Sequence, residues 1–400
     1  MNVAILGYGT VGSGVFDVLT QNHDIIAGRV GKDLDIKYVL DLREFPGDPV
    51  EAVLVHDFTQ IVDDDSVDIV AEVMGGVHPA YEFTKTCLEK GKSVCTSNKE
   101  LVAKHGAELL AIAKENKCNY LFEASVGGGI PIIRQLIRSI TADDIISIDG
   151  ILNGTTNYMM TKMKNEGLAF DDVLKRAQEK GYAERNPAAD IEGHDACRKI
   201  AILTSLAYGK QVDYEDIYTE GITKITDVDV EYAGKLGRAI KLLGSSYKDE
   251  DGTVYAIVAP KMINDENPLY MVSGVFNAIL LKGNMLGDIM CYGKGAGKLP
   301  TASAVVSDII DCAKHNGRNI KIIWDREKIQ LGEFDNMKNA FFFRVNAKDA
   351  DAAAAAVNAT TVIKDVKEGE AGIVTPVMTE GAFKTATAGI EVLNLIRYEA

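Results

Sequence analysis

The sequence predicts an α/β fold that opens with a doubly wound parallel sheet, continues into an α+β domain and ends in a small ferredoxin-like module. Three observations carry this prediction. An apolar strand runs straight into a glycine-rich turn and a helix at the start of the chain, "NVAILGYGTVGSGVFDVL". Short apolar strands then alternate with helix-length segments, the rhythm of βαβ units and a parallel sheet. Residues 338 to 400 read as strand, helix, strand, strand, helix, strand, the order of a ferredoxin-like module.

The bulk numbers bound what such a chain does. At 400 residues it exceeds one ordinary core and divides into domains. Its 46% hydrophobic and 25% charged residues are those of a globular protein. A formal net charge of −15 argues against nucleic acid as a partner. An anionic cofactor stays compatible with it, because glycine-rich turns and helix N-termini bind phosphate locally. The six cysteines (Cys87, Cys95, Cys118, Cys197, Cys291, Cys312) form no CxxC pair and read as reduced thiols. No secretory pattern opens the sequence and no apolar run reaches membrane-spanning length, so a cytoplasmic protein without membrane contact is expected.

In the first element, Asn2 to Leu6 reads as a strand and Gly7-Tyr8-Gly9-Thr10-Val11-Gly12 as the GxGxxG turn of a Rossmann-type domain. Gly7 permits the tight turn, Gly9 lets the backbone approach a pyrophosphate, and Gly12 lets helix and strand pack closely. The strands "IKYVLDL", "VDIVAEVM" and "SVCTSN" follow, with helices such as "HPAYEFTKTCLEK" between them. Asp41, ending the second strand, is placed to accept hydrogen bonds from a ribose 2′-hydroxyl, which favours NAD. Arg43, two residues on, is equally suited to a 2′-phosphate, so NAD and NADP both stay open. "SNKE" places Lys99 at the C-terminal end of a strand, where α/β enzymes bind ligands.

In the middle of the chain, "YLFEASVGGGIPIIRQL" carries a strand into three glycines and a proline. That turn is either a sharp interdomain bend or a set of free carbonyls for a ligand. "DIISIDGILNGTTNYMMTKM" reads as a strand interrupted by the polar loop Asn153 to Asn157, which suits either a polar ligand or a helix N-cap. Next, "GYAERNPAADIEGHDACRK" sets Glu184, Asp190 and Asp195 beside Lys199, leading into a helix. Asp195 and Lys199 are four apart and share a helix face. They are either an exposed pair worth a few tenths of a kcal/mol or part of a pocket for a small molecule bearing an ammonium and a hydroxyl. His194 is read as a bystander.

Taken together, "GYGTVGSGV", "TSNKELVAKHG", "FEASVGGGIPII", "GILNGTTNYMM", "GYAERNPAADIEGHDACRK" and "GKGAGKLPTASAVVSDI" resemble the homoserine dehydrogenases, of the monofunctional bacterial type, over nearly all of residues 1 to 315. The resemblance implies NAD(P)-dependent interconversion of L-homoserine and L-aspartate 4-semialdehyde, in threonine, methionine and isoleucine biosynthesis. It implies that Lys199 and Lys99 frame the reacting oxygen, with Lys199 as proton donor and Asp195 beside it. Glu184, Asp190 and Asp195 would hold the amino acid, with Thr155 near it. Gly7, Gly9, Thr10, Val11, Gly12, Asp41, Arg43, Gly75, Lys99 and Gly297 would meet the cofactor. A structural sodium ion would sit at Glu123, Val126, Gly128 and Ile130, largely on carbonyl oxygens.

The expected organisation is a dinucleotide-binding domain over 1–130 completed by 293–316, including a helix from about Ser303. A substrate-binding and dimerisation domain spans 131–292, a linker 317–337, and an ACT-like module 338–400. A homodimer or homotetramer is expected. In that module "NAKDADAA" lacks the DxPG-type turn that shapes an effector site, so at most weak inhibition by threonine is expected. Two other readings are another semialdehyde reductase and a nucleotide-binding amino-acid sensor without catalysis; the sensor would need neither Lys99 nor Lys199.

Overall fold

The strand Asn2–Leu6 (β1), apolar and fully buried from Val3 to Leu6, is the centre of a six-stranded sheet in the computed structural model, which describes residues 1–400. Around it lie Asp35–Leu40 (β2), Leu54–Val55 (β3), Val67–Glu72 (β4), Ser93–Thr96 (β5) and Tyr120–Leu121 (β6). The order is β3-β2-β1-β4-β5-β6, every pairing parallel. The order reverses between β1 and β4, the switch point where doubly wound sheets bind nucleotides. Helices Thr10–Gln21 and Lys298–Lys314 bury Val15, Leu19, Ala302, Val305 and Ile309 against this sheet. The second of these helices begins five residues before the expected Ser303, because Gly297 at φ +120° starts it. The two helices approach so closely that a Cβ on Gly14 would lie 2.8 Å from the Lys298 carbonyl oxygen.

The chain divides into two compact units that cut across the expected boundaries. One holds Met1–Ala142, Ile202–Asp213 and Gly293–Lys328; the other holds Asp143–Ala201, Tyr214–Tyr292 and Ile329–Ala400. Residues 131–142 stay with the first unit because Arg134 is ion-paired with Asp308 and, at 3.0 Å, with Asp311. The first part of the expected 317–337 linker is likewise no free link. Asn319 donates to the Cys118 carbonyl at 2.6 Å and the Ile320 amide to Asn119 Oδ1 at 2.7 Å. Trp324, the single tryptophan, is 6% exposed and donates to Gln211 Oε1 at 2.9 Å. It lies on Gly106, where a Cβ would come within 2.9 Å of its ring.

In the second unit the largest sheet runs through strands Phe276–Gly283, Ile145–Ile151, Ala239–Lys248 and Val254–Ile263. It continues without a break into the C-terminal strands Val392–Tyr398, Lys338–Asn346, Glu370–Val374 and Thr361–Ile363. With helices Ala350–Ala356 and Glu380–Ala386 these complete the expected strand and helix order, and the last strand sits beside the first. The module is therefore an edge-on extension of the middle sheet, joined through Lys261 opposite Arg397. Its core is Phe341, Phe343, Val345, Ile373 and Phe383. Two buried arginines fasten it. Arg344 pairs with Asp229 at 2.8 Å and Glu370 at 2.6 Å, and Arg397 with Glu380 at 3.0 Å and with Glu220.

The polar run after Ile151 is not an interruption of a strand. Asn153 caps the helix Gly154–Glu166, its side-chain oxygen accepting from the Thr156 amide at 2.9 Å. Gly154 permits the turn, since a Cβ there would meet the Val275 carbonyl oxygen at 2.8 Å.

Candidate active site

In the first unit the glycine turn has the shape its spacing predicts. Gly7 has φ +97°, and a Cβ on Gly12 would lie 1.9 Å from the Gly7 oxygen. Around Gly9, by contrast, nothing lies within 4 Å of an added Cβ, which leaves that side of the turn open. No side chain caps the helix starting at Thr10, so its first amides point at the opening, with Thr10 exposed and Val11 half-buried. A cleft of about 590 Å³ follows, lined by Gly7, Gly9, Asp41, Arg43, Val73 and Met74 among others. This open turn, uncapped helix start and adjoining cleft fit a dinucleotide's pyrophosphate and ribose.

Asp41 lines that cleft. It accepts from the Tyr8 amide at 2.8 Å and from Arg43 Nε and Nη2, both at 2.9 Å. The Arg43 guanidinium beside it holds the Asp41 carboxyl well below the usual carboxylate range, against a smaller opposing effect of burial. The two residues that the sequence offered as rival readers of the ribose are thus one ion pair. His56, which the sequence reading passed over, lines the same cleft and bonds the Asp41 carbonyl oxygen at 2.7 Å.

Lys99 is the half-buried first residue of helix Lys99–Glu115, whose cap is Asn98. Glu72, also missed, organises this region. It is fully buried at the end of β4 and accepts from Thr96 Oγ1 at 2.6 Å and the Met74 amide at 2.9 Å. Burial pushes its carboxyl up. Asn98 reaches back to the Gly76 carbonyl at 2.6 Å, tying the Lys99 helix to the loop that carries Gly75, where φ is +99°. A carboxylate inside the apolar run "VDIVAEVM" was the available signal.

The expected ion-binding turn is buried, with Glu123 at 2%, Val126 at 0% and Ile130 at 1% exposure. The Glu123 carboxylate already accepts the Ile133 and Arg134 amides at 2.8 and 2.9 Å. Two carbonyls of the turn are already taken, Gly127 accepting from the Ile130 amide at 2.9 Å and Ile130 from the Ile132 amide at 2.8 Å, and Gly128, at φ +55°, is crowded by Gly295.

In the second unit the acid–lysine cluster is buried, which rules out the exposed-pair reading. Asp195 is 4% and Lys199 8% exposed. Lys199 Nζ donates to Asp195 Oδ2 and to the Leu152 carbonyl, both at 2.7 Å. Asn153 Nδ2 donates to Asp190 Oδ1 at 2.7 Å and to Asp195 Oδ2 at 2.8 Å. Asp190, Asp195 and Lys199 are therefore brought together. Glu184 is not. It lies exposed on the loop after helix Phe170–Glu179, and its one hydrogen bond is through its backbone carbonyl, to Gln178. The Thr155 hydroxyl donates to the Tyr182 carbonyl of that same loop at 2.6 Å. His194 faces out and pairs only with Glu192, at 3.1 Å.

None of the six cysteines is in a disulfide. No group of histidine, cysteine and acid side chains could hold a metal ion, and no helix is long and apolar enough to cross a membrane.

Comparison with known proteins bears on both units. The family model described as "Homoserine dehydrogenase, NAD binding domain" matches residues 7–123, and that described as "Homoserine dehydrogenase" matches residues 131–310. The chain is similar to a homoserine dehydrogenase of Bacillus subtilis, 43% identical over 318 residues, 79% of this chain and 73% of that one. A homoserine dehydrogenase of Neisseria gonorrhoeae is 37% identical over 419 aligned positions, covering 99% of this chain and 96% of its own. Among solved structures, a homoserine dehydrogenase from Thiobacillus denitrificans matches at a TM-score of 0.92 and 35% identity, over 100% of this chain and 98% of that one.

Proposed function

Because the chain belongs to the homoserine dehydrogenase family, its reaction is the NAD(P)-dependent interconversion of L-homoserine and L-aspartate 4-semialdehyde, and we propose how its own residues divide that work. The nicotinamide supplies and takes back the hydride. Lys199 gives a proton to the nascent alkoxide on reduction and takes it from the alcohol on oxidation. Asp195 orients Lys199, and Lys99 is the second amine of the reaction. Asp190 and Asp195 receive the substrate ammonium, with Thr155 nearby and Glu184 on the adjoining loop. One observation carries this reading: an ammonium buried to 8% exposure and held at 2.7 Å by both a carboxylate and a carbonyl. Neither another semialdehyde reductase nor a non-catalytic sensor is favoured by the family matches.

The test is absorbance at 340 nm with homoserine and either nucleotide. Lys199→Ala is expected to lose about 10²- to 10⁴-fold in kcat, the usual worth of a positioned acid or base, with nucleotide affinity kept. Retention of wild-type turnover would sink the assignment.

The finer expectations rest on narrower support. The carbonyl-rich turn at 123–130 suits sodium, a hard cation, in a structural role. Exposed Met285, Leu286 and Tyr292 (83%, 51% and 52%) at one end of the large sheet support self-association as a dimer or tetramer, which light scattering checks. The ACT-like module serves assembly more than sensing, since its first turn lacks the effector-shaping sequence. Half-inhibition by micromolar threonine would overturn that. Reduced cysteines support a cytoplasmic enzyme of threonine, methionine and isoleucine biosynthesis.

A further inference from the structure

We infer that Asn153 is a positioning residue of the reaction: its single side-chain amide assembles the acid pair Asp190 and Asp195 on which Lys199 depends. This rests on the role given above to Lys199, and goes beyond it by naming what builds the cluster.

The geometry leaves the amide no other arrangement. Asn153 is 6% exposed. Its Oδ1 accepts from the Thr156 amide at 2.9 Å, while its Nδ2 donates to Asp190 Oδ1 at 2.7 Å and Asp195 Oδ2 at 2.8 Å. Rotating the amide by half a turn would set its oxygen against two carboxylates and its NH2 against a backbone N–H, so the assignment is fixed by its partners. Both N–H bonds and the oxygen are used.

Two carboxylate oxygens that share one nitrogen donor lie close enough to repel each other, and a donor between them offsets that repulsion. Asn153 is that donor, and it is neutral, so it draws the acids together without consuming their charge. Asp195 Oδ2 is then shared between Asn153 and Lys199. The next residue back, Leu152, supplies the other acceptor of Lys199 through its carbonyl. Residues 152 and 153, at the end of strand Ile145–Ile151, therefore fix the amine from one side and the acids from the other.

The same side chain caps helix Gly154–Glu166, so a plain deletion would confuse folding with function. Two variants separate them, because aspartate and serine are both good N-caps. Asn153→Asp keeps the shape and the cap but replaces the donor by a third carboxylate. Asn153→Ser keeps a cap but exchanges the two N–H donors of the amide for one hydroxyl on a shorter side chain, which cannot bond both acids at once. With wild type and Lys199→Ala assayed alongside, both variants are expected to melt within a few degrees of wild type. Both are expected to bind NADPH with unchanged affinity, followed by quenching of protein fluorescence. For homoserine, KM should rise about tenfold or more and kcat fall about tenfold or more, with Asn153→Asp the worse. A folded Asn153→Ser within threefold of wild-type kcat/KM would overturn the inference. So would activity lost in step with melting temperature, which would make Asn153 a cap and nothing more. A wild-type protein inert towards homoserine, or a fully active Lys199→Ala, would instead overturn the assigned activity or the role of Lys199.

Discussion

At the scale of single residues, the closest approach in the nucleotide turn decides the first prediction. With an added Cβ at 1.9 Å from the Gly7 oxygen, Gly12→Ala must push the helix from the sheet, and NADPH affinity is expected to fall at least tenfold in a fluorescence titration. Arg43→Ala is expected to lower the NADP-to-NAD ratio of kcat/KM about tenfold, because it removes the one guanidinium beside Asp41. A third prediction concerns pH. Burial pushes the Asp308 carboxyl up, with Arg134 opposing and Glu123 adding to the rise. The unfolded chain then loses this proton at lower pH than the folded chain, so stability should fall as pH rises above the ordinary carboxylate range. Asp308→Asn should flatten the slope in denaturant titrations. Legibility at this scale was local: the glycine roles followed from spacing, and Asn153 was readable as a cap three residues from its partner. Its bridge to Asp190 and Asp195 spans 37 and 42 residues, a distance over which no sequence pattern operates.

At the scale of elements, the i, i+4 spacing of Asp195 and Lys199 was legible, but their burial was not, because burial is decided by what the helix meets. The strand assigned to "YMMTKM", beyond the polar loop Asn153 to Asn157, failed for a different reason. Tyr158, Met159, Met160 and Met163 are all buried, so their run carries no clear polar stripe, and the cap at Asn153 settles the matter in favour of helix. Linker composition also misled, since Trp324 and Asn319 anchor a segment that reads as polar. The C-terminal strands were legible in order, while their merger with the middle sheet was not, because edge pairing leaves no periodic mark. That merger makes Arg344 a structural anchor. Its guanidinium is the charge partner of Asp229, which is fully buried. Arg344→Ala should cost about 3–5 kcal/mol, seen as a lower midpoint in thermal unfolding. Truncation after Ile329 should give an aggregating chain, because it bares the pairing edge of Val254–Ile263.

At the scale of the whole molecule, the division into two units sorts the chemistry. The nucleotide cleft and Lys99 belong to one, and the acid–lysine cluster to the other, while helix His194–Tyr208 contributes to both. Sequence order concealed this, since each unit is assembled from three separate stretches. The placement of Trp324 in the first unit has a practical outcome. Its indole is the chain's sole strong near-ultraviolet emitter, and it is shielded from water. Emission should lie to the blue in the native protein and redden only when the nucleotide-binding half opens. A lag between that colour change and the far-ultraviolet dichroism signal would resolve two melting events, giving each half its own spectroscopic clock without any label.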